Sequence, residues 1–252
     1  MTDKTTADLV KQPAAALARP AYVAQGDVRG TEHLTKDDLQ MPRLALVQKT
    51  SHEIDPTDPK YIDGLKFTDL FNSLTGEIYG KGPLEFVVVR ADPPKHIEFT
   101  PLDQGGGVKD FNVPNDDPRT QFTTDAEGKS VPPVATKFYE FVVLLLPSLE
   151  PIAISFKSTG LKVAKQLNSY MKLRSGPSFM GKYRLTTGTA VSPKGTYAVY
   201  QIRNAGNVDE ETYRFAESVY ESFKDRVLVV DREHPEVRDE GEGDTDFDTS
   251  KM

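Results

Sequence analysis

Three apolar runs rich in β-branched and aromatic residues constrain the fold of this chain most strongly. They read LEFVVV at residues 84–89, FYEFVVLLL at residues 138–146 and IAISF at residues 152–156. Contiguous β-favouring residues of this kind are typical of strands that are covered on both faces. The prolines of PSLEP, between the last two runs, limit strand continuation and predict a hairpin. The sequence therefore predicts a mainly β core, and residues 95–99 are a plausible further strand.

A helix is predicted directly after these strands. Ser158 or Thr159 is suited to cap it, and its pattern extends over residues 161–173. Its apolar side chains share one side of a helical wheel, and the opposite side is cationic. The helix is therefore expected to pack one face on the sheet. The residues expected on its exposed face are Lys162, Lys165, Ser169 and Lys172.

A second hairpin and a terminal helix follow. Strands are predicted at residues 179–190 and 196–203, joined by the turn sequence SPKG. Cationic side chains alternate with others in the first of them, so one of its faces is cationic. Asp209 is suited to cap the last helix. Several strands, an inserted helix, a closing hairpin and a terminal helix predict a mainly β, α+β fold with an OB-like antiparallel β-barrel.

Composition divides the chain into three parts. Residues 1–40 are rich in Ala, Pro and Gly and short of large apolar side chains, so we expect a flexible arm. Residues 41–226 form the predicted OB-like domain. Within it, residues 103–135 lack helical or strand periodicity and predict a long loop, either a disordered insertion or a flap that touches a ligand. Residues 227–252 are expected to form a disordered acidic tail.

Charge is sorted by sign along the chain. The 58 residues from Pro151 to Val208 include nine lysines and arginines and not one aspartate or glutamate. The last 22 residues hold nine carboxylates against three cations, and so carry −6 of the formal net charge of −7. Binding of a polyanion responds to the field at the site, so a local basic patch can hold phosphates on an acidic protein. A solvated surface is the alternative interpretation of the acid-free stretch.

Basic groups interleaved with aromatic side chains are typical of proteins that bind single-stranded nucleic acid. The predicted phosphate contacts are Lys157, Lys162, Lys165, Lys172, Arg174, Lys182, Arg184 and Arg203. The predicted stacking side chains, for which packing in the core is the alternative, are Phe179, Tyr183, Tyr197 and Tyr200.

Nothing in the sequence indicates a catalytic, metal or cofactor site. Cysteine is absent, which excludes disulfides, thiolate metal sites and a cysteine nucleophile. The four histidines lack metal-ligand spacing, and carboxylates such as Asp55, Asp58 and Asp63 lie in proline-rich contexts where acids commonly form turns. No apolar run is long enough to span a bilayer, and the N-terminus lacks the order of a signal peptide. We expect a cytoplasmic, non-enzymatic protein without a cofactor or membrane partner.

The order of a loose N-terminus, a β-rich body, an aromatic and basic hairpin and an acidic tail resembles the phage-type single-stranded DNA-binding proteins with an OB-fold. More narrowly, residues 41–224 resemble a family of phage proteins carried in replication and recombination regions. The motifs that carry this resemblance are MPRLALVQ, FNSLTGEIYGKGPLEFVVV, the GGG loop, ISFKSTGLKVAKQL and VDEETYRFAESVYESFK. The resemblance implies a phage origin and therefore the host cytoplasm.

The resemblance also implies a role for the acidic tail. In the tailed DNA-binding proteins the acidic tip recruits replication partners and competes with DNA for the binding cleft. That tip often ends in an aromatic residue, whereas this chain continues to Met252 after Phe247. The residues expected to bind replication or recombination partners are Asp239, Glu240, Glu242, Asp244, Asp246, Phe247 and Asp248.

The expected function is a protein that coats and protects single-stranded DNA during phage replication or recombination. Three other classes stay open at the level of the sequence: a strand-annealing recombination protein, a virion or assembly protein, and a nuclease. The sequence leaves open whether the protein forms a homo-oligomer and whether it prefers DNA or RNA.

Overall fold

The computed structural model describes residues 40–101, 104, 106–193 and 195–224, together with Gly30 and His33. In this part the protein is mostly β with two helices and antiparallel strand pairs, which confirms the α+β class. The predicted N-terminal arm lies almost wholly, and the predicted acidic tail wholly, outside the described residues. The strands are β1 (Leu44–Leu46), β2 (Leu70–Asn72), β3 (Ile78–Gly80), β4 (Leu84–Ala91), β5 (Lys95–Phe99), β6 (Val108–Val113), β7 (Thr123–Thr124), β8 (Ser130–Val131), β9 (Ala135–Leu146), β10 (Glu150–Phe156), β11 (Gly181–Ser192) and β12 (Gly195–Asn207). The helices are α1 (Leu161–Leu173) and α2 (Glu210–Phe223).

Strand β9 is the centre of the main sheet. Its C-terminal half pairs with β4 and its N-terminal half with β5, so that Ala91 lies opposite Phe141 and Lys95 opposite Phe138. The other edge of β9 pairs with β10, which confirms the predicted hairpin. The sheet continues from β4 to β11 and β12 on one side and from β5 to β6 on the other. The chain therefore returns to β4 only after α1, through the hairpin β11–β12.

The strands come close to closing on themselves without completing a barrel. Beyond β10, a single parallel bridge joins Arg43, next to β1, to Ala153. On the far side, the side chain of Gln48 spans to β12: its Nε2 donates to the carbonyl of Ala198 at 3.1 Å, and its Oε1 accepts from the Ala198 amide at 2.9 Å. The side-chain amide of Gln48, and not a ladder of backbone hydrogen bonds, therefore joins this segment to β12, and the predicted barrel is not closed.

The main core lies on the inner face of the curved sheet. Phe86, Phe141, Phe156 and Tyr183 are buried there, with aliphatic side chains from β4, β9, β10 and β11 around them. Helix α1 covers this core, and its contribution includes the fully buried Leu167. The alternation of strand side chains explains the arrangement, because every second residue of each strand points to the same face.

A second core lies on the outer face of the same sheet. Val87 and Val89 of β4 and Val142 and Leu144 of β9 are buried there beneath α2. Phe179, between α1 and β11, packs in this layer against Tyr213 and Tyr220 of α2, with ring centroids 5.0 and 5.8 Å apart. Strands β4 and β9 are therefore covered on both faces, as their uninterrupted apolar runs predicted.

The segment at residues 103–135 differs from its prediction. It was expected to be a loop without strand structure, but it includes β6, which extends the sheet beyond β5, and the short pair β7–β8. The buried Glu98 of β5 accepts from Lys109 and from Arg119, each at 2.6 Å. The prediction was wrong at Val108–Val113, because ion pairs and cross-strand pairing order polar residues that show no apolar periodicity.

The start of α1 also differs from its prediction. Neither Ser158 nor Thr159 caps the helix; both lie in a short 3₁₀ turn, and Gly160 occupies the N-cap position without a side-chain hydrogen bond. A Cβ atom on Gly160 would stand 3.4 Å from Cβ of Phe156, so packing of the chain against β10 sets this helix start. Asp209, by contrast, caps α2 as predicted, and its Oδ1 accepts from the Thr212 amide at 2.8 Å.

Candidate nucleic-acid interface

The exposed side of α1 forms the first cationic surface, which we call the helix face: Lys162, Lys165 and Lys172. All three lysines are exposed, and none of their ammonium groups makes an ion pair or hydrogen bond with the residues that the structure describes. The opposite side of the helix is anchored by Ala164 and Leu167, both fully buried. The helical repeat places the three lysines on one side, so the predicted division of α1 is confirmed.

The outer side of the hairpin β11–β12 forms the second surface, which we call the hairpin face: Lys182, Arg184, Tyr197, Gln201 and Arg203. In β11 the inward positions are Tyr183 and Leu185, which leaves Lys182 and Arg184 on the outer side. The register pairs Arg184 with Arg203 and Ala190 with Tyr197. The same alternation places Tyr197, Gln201 and Arg203 together along the outer side of β12.

One carboxylate moderates the charge of the hairpin face. Arg184 and Arg203 lie directly opposite each other, an arrangement of like charges that destabilises a strand pair. Glu85 of β4 lies next to Arg184 and accepts from its Nη2 at 2.6 Å and from Lys182 Nζ at 3.1 Å. Hydrogen bonds from Arg184 and Lys182 hold the pKa of the Glu85 carboxyl below its usual range. Arg203 has no such partner among the described side chains.

Arg174 does not lie free as a phosphate contact. Its guanidinium, just after α1, donates to the side chains of Asn204 and Asn207 and, at 2.6 Å, to the carbonyl of Gly206. It also lies 5.4 Å from the ring centroid of Tyr183. Arg174 therefore joins the end of the helix to β12 beside Arg203. Each of these bonds uses a donor that a phosphate would otherwise bind, so the structure gives the predicted phosphate contact at Arg174 a second, structural role.

Two of the four predicted stacking side chains serve the core. Phe179 is buried under α2, and Tyr183 is fully buried, with its ring stacked on Tyr170 at a centroid distance of 6.4 Å. Neither ring presents a face to solvent, so for these two residues the structure favours the alternative of packing in the core. Tyr200 lies on the inner side of β12, half-buried and edge-on to Phe156.

Tyr197 is the stacking candidate that the structure leaves on the hairpin face. It is half-buried, and its ring and hydroxyl make no ring contact or hydrogen bond with other described residues. The remaining predicted phosphate contact, Lys157, is half-buried between β10 and α1. The predicted partner-binding residues, Asp239 to Asp248, lie outside the described residues.

Sequence reasoning missed Gln201 of the hairpin face and Glu85 of β4, which bonds to two of its cations. The alternation along β12 places Gln201 on the side of Arg203, but an amide is neither a cation nor an aromatic ring, the two signals that indicate binding of single-stranded nucleic acid. Glu85 is 99 positions from Arg184 in the chain, and no local pattern indicates that the two meet.

Two of the three carboxylates considered for a metal site, Asp55 and Asp58, serve as turn formers. Asp55 Oδ1 accepts from the amide and hydroxyl of Thr57, and Asp58 accepts from the Lys60 amide and from His52. These backbone hydrogen bonds lower the pKa of both carboxyls. Within the ranges that the structure describes, no group of three or more His, Asp or Glu side chains is arranged to hold a metal ion.

The fold and these surfaces define an antiparallel β protein with two added helices and two cationic faces. The chain belongs to the Pam3 phage gp34-like protein family, whose family model matches residues 11–228. This membership indicates a phage protein, which confirms that part of the resemblance seen in the sequence. No curated protein and no solved structure matches the chain. None of the described helices has the length and hydrophobicity to cross a membrane.

Proposed function

We propose that this phage protein binds single-stranded DNA and protects it during replication or recombination. The proposal rests on where the structure places the cations of the acid-free segment, residues 151–208. Its cations lie mainly on two outer surfaces, and Lys162, Lys165, Lys172 and Arg203 have no ion-pair partner among the described residues. Unneutralised cations attract a polyanion through release of its counterions. A solvated surface needs cations too, but it does not need the exclusion of acids over 58 residues.

We further propose that the core is an OB-fold. In support, β4, β9 and β10 are neighbouring antiparallel strands of the sheet, with β5 to β8 inserted between β4 and β9 in the chain; α1 follows β10, and β11 returns to pair with β4 before β12 completes the hairpin. An OB-fold is a five-stranded, partly open barrel of the Greek-key type. The place where this sheet remains open, between β10 and β12, is spanned by the segment that holds Arg43 and Gln48.

The OB-fold proposal also narrows the position of the binding surface. Oligonucleotides commonly bind OB-folds on the second and third strands and on the loops after the first and fourth strands. Here α2 covers the outer side of the corresponding strands β9 and β10 at Val142, Leu144 and Ala153. The outer side of the hairpin β11–β12 remains open, so the proposed site is the hairpin face, and the helix face of α1, which packs on the inner side of the sheet, is a second cationic surface.

We propose that the two faces make different contacts with DNA. The helix face supplies lysines to the phosphates, and the hairpin face supplies Arg203, Arg184 and the ring of Tyr197, on which a base can stack. Base stacking is tolerant of sequence, as a coating protein requires. The acidic C-terminal segment is proposed to compete with DNA for these cations and to recruit replication or recombination proteins.

A salt titration tests the proposed function. Single-stranded DNA, duplex DNA and single-stranded RNA of one length are titrated with the full chain over a range of salt concentrations. If about four to six phosphates are neutralised, log affinity for the single strand falls against log salt with a slope of about −3 to −4. Equal affinity for the duplex, or a slope near zero, contradicts the proposal. Degradation of the oligonucleotides on addition of magnesium would instead support a nuclease.

A further inference from the structure

Gly188 lies in the middle of β11, on the outer side of the hairpin. Glycine weakens a strand interior, and there it usually marks a bulge, a positive φ or a place where another group approaches closely. The pairing of β11 with β12 is regular from Tyr183 to Ser192, so there is no bulge at Gly188. Its φ also lies outside the left-handed region. Close approach of another group is the reason that remains.

The group that occupies the space above Gly188 is the amide of Gln201. In the register Gln201 lies opposite Thr186, and its side chain reaches diagonally across the strand. A Cβ atom on Gly188 would stand 2.8 Å from Nε2 and 3.5 Å from Cδ of Gln201. Gln201 is exposed, and its amide makes no hydrogen bond with the described part of the chain. The glycine thus leaves room for an exposed amide whose donors and acceptor are unused.

The neighbours of Gln201 favour a nucleotide as the ligand. Along the same side of β12, Tyr197 lies about 13 Å to one side and Arg203 about 7 Å to the other, from the rise of a strand. The row therefore presents, in order, an aromatic ring, the small apolar side chain of Val199, a neutral amide and a cation. An amide has no charge with which to neutralise a phosphate, but in one plane it offers both a donor and an acceptor.

We propose, on the basis of the proposed function, that Gln201 reads the edge of a DNA base above the glycine floor of Gly188. The paired donor and acceptor of a glutamine amide match the N7 acceptor and N6 donor of adenine, and such a pair discriminates against other bases. The protein therefore binds single strands of any sequence through its cations and Tyr197, and prefers strands in which adenine can reach Gln201. Gln201 is the specificity-determining residue, and Gly188 positions its amide.

Two thymine oligonucleotides test the inference. They have one length, and every third base is adenine in the first and cytosine in the second. The wild-type protein is expected to bind the adenine oligonucleotide about 5-fold or more tightly, from the lower range of discrimination by a bidentate contact. Gln201→Leu removes this preference and leaves the slope of affinity against salt unchanged, because no charge is lost. Gln121→Leu, at an exposed glutamine in the β6–β7 connection, is the matched control and keeps the preference.

Gly188→Ala provides an independent arm. The added Cβ meets the far end of a flexible side chain, so the fold is retained, while the amide is pushed from its position. We expect the adenine preference to fall at least 3-fold, with an unchanged or higher melting temperature, since alanine suits a strand interior better than glycine. The double variant with Gln201→Leu shows no further loss. A residue with a merely structural role would lower the melting temperature and leave base preference intact.

The outcomes separate this inference from the proposed function. Equal binding of the two oligonucleotides by the wild-type protein, with a steep salt slope, overturns the role of Gln201 and leaves DNA binding in place. A preference that persists in both Gln201→Leu and Gly188→Ala also overturns it. If neither oligonucleotide binds at any salt concentration, the proposed function fails as well.

Discussion

The helix face and the hairpin face carry three cations each, but they differ in how much of that charge the protein itself neutralises. On the helix face, Lys162, Lys165 and Lys172 have no carboxylate partner among the described residues. On the hairpin face, Glu85 bonds to both Lys182 and Arg184. If the protein binds single-stranded DNA as proposed, we expect the helix face to supply most of the attraction for the phosphates. On the hairpin face, Tyr197 and Gln201 are the side chains suited to contacts with a DNA base, and such contacts depend on geometry more than on charge.

The largest effect is expected from removing the charges of the helix face. The triple variant Lys162→Gln, Lys165→Gln, Lys172→Gln should bind single-stranded DNA about 100-fold more weakly at about 0.1 M salt. The reason is that each lost phosphate contact removes about 0.7 from the salt slope and so about 5-fold at this salt concentration. The slope should become less steep by about 2. Fluorescence anisotropy over a salt series measures both quantities.

The control for this prediction is the substitution of three exposed lysines elsewhere on the protein, Lys49, Lys66 and Lys129, by glutamine. It changes the net charge by the same amount at residues that belong to neither face. If the control loses as much affinity and slope as the helix-face variant, net charge rather than this surface governs binding, and the comparison of the two faces collapses.

Removing the charge of Glu85, which bonds to two cations of the hairpin face, should strengthen DNA binding. Glu85→Gln frees Lys182 and Arg184 for phosphates, and one additional net contact corresponds to about 5-fold tighter binding at about 0.1 M salt. Arg203→Gln should weaken binding by about the same factor. Glu127→Gln, at an exposed acid between β7 and β8, is the matched control for Glu85→Gln and should have little effect on affinity. Unchanged affinity in Glu85→Gln would place the DNA path away from the hairpin.

A smaller gain is expected from deleting residues 231–252. This segment carries −6, and a tethered polyanion competes with DNA at an effective concentration that can reach the millimolar range. Deletion should tighten binding about 3-fold below about 0.05 M salt and have less effect toward about 0.3 M, where charges are more strongly screened. In the triple helix-face variant the deletion should have no effect if the segment competes for those lysines. Weaker binding by the truncated protein would refute competition.

Arg174 distinguishes a positioning residue from a phosphate contact. Arg174→Met should lower the free energy of unfolding by about 2 kcal/mol, because hydrogen bonds from a charged group to Asn204, Asn207 and Gly206 are lost. The salt slope of DNA binding should stay the same, because the guanidinium is already bonded within the protein. Urea unfolding and a salt titration of the same sample measure the two effects. A slope less steep by about 0.7 would restore Arg174 to the phosphate contacts.

The smallest effect is expected from pH. The pKa of Glu85 is lowered in the folded protein, so its contribution to stability is fully present above its unfolded pKa and is lost as pH falls through the folded value. Because the ion pairs are partly exposed, the loss should stay below about 1 kcal/mol. The difference in unfolding free energy between wild type and Glu85→Gln should disappear as pH falls. A difference that stays constant would show that the ion pairs of Glu85 do not cause it.

Features that depend on residues close in the chain could be predicted well. The apolar runs predicted β4, β9 and β10, and the separation of apolar from cationic positions predicted both faces of α1. The cap at Asp209 followed from local hydrogen-bonding chemistry. The strand β6 was missed because its order depends on pairing with β5 and on the bonds of Glu98 rather than on its own apolar pattern.

The candidate site was predicted only in part, for the same reason. Alternation along a strand indicates which side chains share a face, but it does not indicate which face is covered. Tyr183 and Tyr197 look alike in the sequence, yet one is fully buried against Tyr170 and the other lies on the outer side of the hairpin. The sequence likewise does not indicate whether Phe179 is exposed, and the structure places it beneath α2.

The sequence by itself determined the β-rich class, the helix between the strands and the local excess of cations, because propensity, periodicity and charge are properties of short segments. The tertiary structure alone decided which of those cations are neutralised and which aromatic rings are accessible. Glu85 meets Arg184 across 99 positions, and Gln48 meets Ala198 across 150. Such contacts depend on how β4, β11 and β12 come together, since packing brings distant segments within bonding distance only when the whole sheet is formed.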